Sequence, residues 1–283
     1  MKIILFGEDK FSLLGLEALL EAGYEVPLVV TPMNNPTAAL LKRQVEKSGI
    51  PVFVAEKIND KEMEERLNSL RPDLFFLIHF DRILKKNIFS IPPRGSINIH
   101  PSLLPAYRGR TPQQWAIIHD ETELGVTTHF VDEGIDTGDI ILQEKFEITE
   151  DTYIADVQHL LFLNYKRIIK DTMDKIILPD FVPQKQNITS DKIYPKINPE
   201  NCALSDDNTV TEIHNRIRAL SLPYFGAPYQ QYRLFKGHIL SVEKEREIRT
   251  HYDKIGFFPN TKFGAIFVAK NGVVEVEQFT REQ

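Results

Sequence analysis

Four short apolar runs in the first eighty residues, each leading into a helix-like segment, restrict the fold of this chain more than any other feature. "KIILF" (Lys2 to Phe6), "EVPLVVT" (Glu25 to Thr31), "IPVFVA" (Ile50 to Ala55) and "DLFFLIHF" (Asp73 to Phe80) are nearly unbroken runs of branched and aromatic residues. That is the pattern of strands covered on both faces. Between the first two, "FSLLGLEALLEAG" spaces Leu13, Leu16, Leu19 and Leu20 at helical intervals and stops at Gly23. Strand and helix alternating through short loops predict an α/β fold, a mostly parallel sheet flanked by helices. A dinucleotide is not the expected ligand, because "FGEDKFSLLG" lacks the G-x-G-x-x-G spacing that lets main chain approach a pyrophosphate.

Further strands are expected at "GSINIH" and at "GVTTHFV" (Gly125 to Val131), with a helix near Gln113 to His119 between them and a Gly-rich turn, "GIDTGD", after them. "TYIADVQHLLFLNYKRIIKDTMDKII" is the longest helix candidate, and the first domain is expected to close there. From Val182 to Ala203 proline and asparagine dominate, which reads as linker or loops. One helix, "VTEIHNRIRALS", and short alternating segments follow, with "KNGVVEVE" a hairpin candidate because Asn-Gly suits a type I′ turn. A chain of 283 residues accommodates two domains, and the expected division is 1–185 and a smaller, mostly β C-terminal domain with its linker, 186–283.

Formal net charge is −6, so a strongly phosphate-binding surface is not expected. Cys202 is the single cysteine, which rules out an intramolecular disulfide and a Cys-based metal cluster and fits a reducing cytoplasm. The N-terminal apolar run is too short for a signal peptide, and none approaches the ~20 residues of a spanning helix. A cytoplasmic protein with no membrane partner is expected.

Within "INIHPSLLPAYRG" (Ile97 to Gly109), Asn98 and His100 stand two apart. In a strand they share one face while Ile97 and Ile99 pack on the other. Pro101 ends the strand at its carboxyl end, where open α/β sheets place ligands. An imidazole that takes a proton near neutrality and an amide that donates to an oxyanion make up half of an acyl-transfer site. The missing carboxylate has four candidates in "DEGIDTGD": Asp132, Glu133, Asp136 and Asp139. His129 is expected to be a structural partner, and Trp115 and His119 to pack in a core. No H-E-x-x-H motif or Cys pair supports a metal, and none is expected.

"INIHPSLLPAYRGRTPQQWAI" followed by "GVTTHFVDEGIDTGDIILQ" resembles the core of the 10-formyltetrahydrofolate-dependent formyltransferases, which act on methionyl-tRNA, glycinamide ribonucleotide or sugar nucleotides. The opening strand-helix-strand and "RPDLFFLIHFDRILKKNIFSIPPRGSINIH" continue the resemblance, with a departure at His79-Phe80, where the family commonly has small residues and a glycine. The resemblance implies a Rossmann-like catalytic domain in 1–185 and 10-formyltetrahydrofolate as co-substrate. It makes Asn98, His100 and Asp136 the catalytic residues, with Asn98 the oxyanion donor, His100 base or second donor, and Asp136 keeping His100 poised. It places the pterin against Phe80, Asp81, Arg82, Ile83, Leu84, Val131, Gly134 and Ile135. Ser102, Leu103, Tyr107, Arg108 and Gly109 frame the substrate mouth.

The acceptor divides the family. Glycinamide ribonucleotide enzymes resemble the first domain alone. Methionyl-tRNA formyltransferase remains an alternative, but from Asn201 onward eleven basic residues face ten acidic ones. The interval "PMNNPTAALLKRQVEKSG" after the second strand also looks shortened where the tRNA branch carries a basic insertion. "IYPKINPENC" and "IHNRIRALSLPYFGA" resemble the sugar-nucleotide branch, with Tyr194, Tyr224 and Phe225 as candidates to stack on a pyrimidine and Lys196, Arg216 or Arg218 to meet a diphosphate. The expected acceptor is therefore a dTDP-linked 3- or 4-amino-dideoxyhexose destined for cell-surface polysaccharide such as lipopolysaccharide O-antigen. No nucleic-acid partner is expected, and the branch implies a homodimer. A non-catalytic sugar-nucleotide or folate binding protein is a further alternative.

Overall fold

The computed structural model describes residues 1–33 and 36–282. Part of the interval compared with the tRNA branch, Asn34-Asn35, lies outside the described residues. The chain forms two compact units, neither of them one stretch: 1–108, 125–145 and 161–192 make the first, and 109–124, 146–160 and 193–283 the second.

The first unit is built on β1 (Lys2–Gly7), α1 (Lys10–Glu21), β2 (Glu25–Pro32), α2 (Pro36–Lys47), β3 (Val52–Ala55), α3 (Lys61–Ser69), β4 (Leu74–Ile78), α4 (Lys86–Phe89) and β5 (Ser96–His100). After α5 (Pro112–Ile118), which belongs to the second unit, the chain forms β6 (Glu123–Phe130), β7 (Ile140–Glu147) and the long α6 (Ile154–Ile176), whose residues up to 160 also belong to the second unit. The sheet runs β3-β2-β1-β4-β5-β6-β7. Its first five strands pair in parallel, and β6 runs antiparallel to β5. This is the expected α/β fold. The four apolar runs become β1 to β4, and Ile3, Phe6, Val29, Phe75 and Phe76 are fully buried among them.

β4 stops at Ile78, two residues before its apolar run ends, because His79 takes a left-handed conformation, φ 47°. That is where a glycine would be at ease. His79 is held by its side chain instead: Nδ1 lies 2.8 Å from Asp9 Oδ2, while Asp9 Oδ1 accepts from the Phe11 and Ser12 N–H groups as the N-cap of α1. Burial raises the Asp9 pKa, but the His79 charge and these hydrogen bonds outweigh it and leave it below the usual carboxylate value.

In the second unit, α7 (Val210–Leu220) covers a sheet of β8 (Ala227–Tyr229), β9 (Tyr232–Ile239), β10 (Gly256–Thr261), β11 (Gly264–Ala269) and β12 (Gly272–Arg281), with α8 (Val242–Arg249) between β9 and β10. Strand order is β10-β11-β12-β9-β8, antiparallel throughout. The Asn-Gly hairpin exists, but its turn is shifted by one residue: Ala269 pairs with Gly272, so Lys270 and Asn271 form the turn, and neither has positive φ. It is therefore not a type I′ turn. The two residues serve the helix instead. Asn271 Oδ1 accepts from the Val210 N–H at 2.8 Å, and a Cβ on Gly272 would stand 2.9 Å from Val210 Cβ. One of the helix's orphan N-terminal donors is thereby satisfied.

α7 also buries His214, whose Nε2–H donates to Gly237 O at 3.0 Å. Burial, helped by the nearby Arg218 charge, pushes its pKa down to about 4. The unfolded chain takes up a proton near the ordinary 6.5, which native His214 refuses until about 4. Its contribution to stability is thus whole above pH 6.5 and is lost as pH falls toward 4. We expect His214→Gln to flatten the fall of the urea midpoint across that window; an unchanged slope would place the acid sensitivity elsewhere.

Candidate active site

β5 sits between β4 and β6, with Asn98 opposite Leu77 on one side and directly opposite His129 on the other. Directly opposed residues of an antiparallel pair point to the same face. Asn98, His100 and His129 therefore converge, and the turn after β6 brings Asp136 to them. Asn98 Nδ2 is 3.2 Å from His129 Nε2 and 3.5 Å from Asp136 Oδ1. Asp136 Oδ2 is 3.6 Å from His100 Nδ1, and Oδ1 is 3.7 Å from His129 Nε2. Of the four acidic candidates, Asp136 is the one in these contacts. Asp132 instead closes its own turn, accepting from Gly134 N–H and Thr137 Oγ1, and Glu133 pairs with Lys86.

The hydrogen bonds fix the tautomers. His129 Nδ1–H donates to the Phe130 carbonyl at 2.8 Å, so Nε2 keeps its lone pair and accepts from the Asn98 amide. Burial holds the His129 pKa below the usual imidazole value, against the opposite pull of Asp136. A neutral His129 thus orients Asn98. His100 Nε2 lies 3.0 Å from the Tyr107 carbonyl, an acceptor only, so Nε2 carries the hydrogen and Nδ1 is the atom able to take a proton. At 3.6 Å, Nδ1 and the Asp136 carboxylate are not hydrogen-bonded to each other. The side chains of His100, His129 and Asp136 are 6%, 3% and 15% exposed, a setting in which charge interactions are stronger than in water.

His129 is the expected structural partner, and the residue it supports is Asn98. The signal for that pairing was the β5–β6 register, which a single sequence does not display.

The segments expected to hold the cofactor flank this group. Phe80 and Val131 pack against one core cluster that includes Phe6, Phe75, Leu77 and Leu84. Asp81, Arg82 and Gly134 are exposed, and Ile83 and Ile135 present apolar side chains at 70% and 38% exposure. The two segments follow the strands on either side of β5, share one apolar base and carry exposed isoleucines.

The expected substrate residues are placed less uniformly. Ser102 is buried and its Oγ donates to Ala106 O, while its carbonyl accepts from Thr127 Oγ1, so its side chain is an internal staple of the loop. Leu103 lies where a Cβ on Gly125 would meet it at 2.3 Å. Arg108 is buried and donates to Ser190 O. Tyr107 holds His100 through its carbonyl.

In the second unit Gly109 pairs with Tyr194, and a Cβ there would stand 2.5 Å from Tyr194 O. Tyr194, Trp115 and His119 form a ring cluster with centroids 5.6–5.9 Å apart. His119 is exposed, so the core packing expected of it and Trp115 is a partly open cluster, in which Trp115 Nε1–H donates to Pro195 O. Lys196 is exposed, and Tyr224 Oη accepts from Gln158 Nε2 at 2.7 Å. Arg218, weighed as a diphosphate ligand, is 2% exposed and spends its two Nη groups on Thr149 O, Thr152 O and Asn215 Oδ1.

Among the described residues no group of three or more His, Cys, Asp and Glu is arranged to hold a metal ion, and no helix is long and apolar enough to cross a membrane.

A family model described as formyl transferase matches residues 1–170, which contain Asn98, His100, His129 and Asp136. The chain belongs to the formyl transferase family. Methionyl-tRNA formyltransferase of Pelotomaculum thermopropionicum is 36% identical to this formyltransferase over 251 residues, 86% of this chain and 78% of that protein. The Clostridium beijerinckii protein of the same name is 30% identical over 285 residues, 96% of this chain and 87% of its own length. Among solved structures, the N-formyltransferase from Helicobacter canadensis, in complex with folinic acid and dTDP-3-aminofucose, has a TM-score of 0.74 at 24% identity. It covers 98% of this chain, which covers 99% of it. A 4-N formyltransferase from Francisella tularensis gives 0.65 at 22%, with 98% coverage both ways. At such identities these structures show the shared fold of the formyltransferase.

Proposed function

We propose that this formyltransferase transfers the formyl group of 10-formyltetrahydrofolate to the amino group of a nucleotide-linked amino-dideoxyhexose, with Asn98, His100 and Asp136 as the catalytic residues. Phe80 to Leu84 and Val131 to Ile135 would hold the folate, which supplies the activated formyl carbon. The Asn98 amide gives one hydrogen to His129 Nε2; its second makes only the 3.5 Å contact with Asp136 and is available to turn to the formyl oxygen as negative charge develops there. His100 Nδ1 takes the proton of the attacking amine, the Asp136 carboxylate stabilises the imidazolium so formed, and the same proton serves the leaving nitrogen.

One observation carries the choice of acceptor: five of the eleven basic residues from Asn201 onward are engaged within the unit. Lys236 pairs with Glu277, Lys270 with Asp207, Arg249 with Glu245 and Arg233 with Glu282, each at 2.6 Å, and Arg218 is buried. A tRNA reader needs such charges directed at phosphates. Tyr194 in its half-open ring cluster and the exposed Lys196 suit a base and a diphosphate instead. The second reading is methionyl-tRNA formyltransferase, favoured by the names of relatives at 30–36% identity.

The test pairs the two acceptors. With 10-formyltetrahydrofolate in excess, we expect formylation of a dTDP-3-amino- or dTDP-4-amino-dideoxyhexose at a kcat/KM at least 100-fold above that for charged initiator methionyl-tRNA. The reverse ratio, measured at low and moderate salt, establishes the second reading.

A further inference from the structure

The proline- and asparagine-rich segment after α6 reads as linker by composition, yet it closes on the turn that carries Asp136. Ile140 N–H donates to Gln184 O at 2.7 Å and Gln184 N–H returns to Ile140 O at 2.8 Å, an antiparallel bridge at the start of β7. Two residues on, the Gln186 amide gives Nε2 hydrogens to two main-chain carbonyls of that turn, Asp136 O at 3.0 Å and Gly138 O at 2.7 Å. Its Oε1 is buried with no hydrogen-bond partner among the described residues. Leaving a buried acceptor unsatisfied is costly, so both good contacts of this side chain are made by its donor end.

The opposite side of the turn is equally constrained. A Cβ on Gly138 would stand 1.8 Å from Phe130 O, and Phe130 N–H donates to Asp139 O at 2.9 Å. Phe130 O is also the acceptor that sets the His129 tautomer. Between these two supports Asp136 takes φ 53°, a left-handed conformation that a residue with a Cβ keeps only where its surroundings over-determine it.

We infer that Gln186 is a positioning residue for formyl transfer: by clamping the main chain of 136–138 against Phe130 it keeps the Asp136 carboxylate between Asn98 and His100. The inference rests on the catalytic reading of Asp136 given above. Displacing a catalytic group by ~1 Å can cost on the order of 100-fold in rate. Substituting Gln186 therefore acts on turnover through Asp136, not on folate binding.

The experiment compares Gln186→Leu with Asp136→Asn in steady-state formyl transfer to whichever acceptor the paired assay establishes. For Gln186→Leu we expect kcat to fall about 10- to 100-fold, KM for 10-formyltetrahydrofolate to stay within about twofold, and the acid limb of the kcat profile to move. A kcat within about twofold of the parent and an unmoved acid limb, beside an inactive Asp136→Asn, overturn the role of Gln186 alone. An active Asp136→Asn overturns the catalytic reading and this inference with it. Should Gln186→Leu fail to fold, Gln186→Asn is judged by the same two readouts, because it keeps the amide but withdraws it by one methylene from both carbonyls.

Discussion

With Asp136 replaced by Asn, formyl transfer is expected to fall by about 10²- to 10⁴-fold, while 5-formyltetrahydrofolate, an unreactive isomer, binds as before. The exchange preserves shape and removes charge. It leaves the imidazolium formed at His100 Nδ1 without the carboxylate 3.6 Å away, in a site from which water is largely excluded. His100→Ala removes the proposed proton acceptor itself and should cost a similar factor. Because the proposed mechanism has the two act on one proton, it requires the double variant to lose no more than the worse single one. Formyl transfer by rapid quench and folate binding by calorimetry check both halves. Near-normal turnover by Asp136→Asn would remove Asp136 from the mechanism, and additive losses would mean that the two residues act on separate steps.

The parts of this site that were legible in the sequence are those fixed by local periodicity. Alternation along β5 puts Asn98 and His100 on one face, and the four unbroken apolar runs announce buried parallel strands. Asp136 could be chosen among four acidic residues only through the family resemblance, because the turn that delivers it has no periodicity to read. That His129 partners Asn98 was out of reach for a different reason. It faces Asn98 only because β6 runs antiparallel to β5 in one register, and a shift of one residue would turn it to the other side.

Gln186 was hidden by composition, since a stretch that looks like linker makes its contacts through one bridge and one side chain. The hairpin turn was displaced for a packing reason, Gly272 being needed small against Val210 rather than flexible. The departure at His79 also has a local cause: Asp9 holds a left-handed residue where a glycine would be at ease.

Replacing Arg218 by Met is expected to lower the unfolding free energy by about 3–5 kcal/mol, the largest stability loss anticipated for one substitution in the second unit. Burial disfavours the charged guanidinium and pulls its pKa down, and Asp120, 4.0 Å away and mostly exposed, offsets this only in part. What retains the charge is its hydrogen bonds: Nη1 serves Thr149 O and Thr152 O at 2.9 Å each, and Nη2 serves Asn215 Oδ1 at 2.7 Å. A buried ion pair replaced as a whole by apolar groups is often neutral. Here two of the acceptors are main-chain carbonyls that no substitution removes, so Met leaves them unpaired at about 1–3 kcal/mol each. Arg218→Lys should fall between the parent and Arg218→Met, since an ammonium on a single stem cannot span three acceptors that a planar fork reaches together. Urea unfolding at constant m-value measures the series. An unchanged midpoint for Arg218→Met would mean that water reaches Thr149 O and Thr152 O once the side chain is gone, and that the guanidinium is no strut.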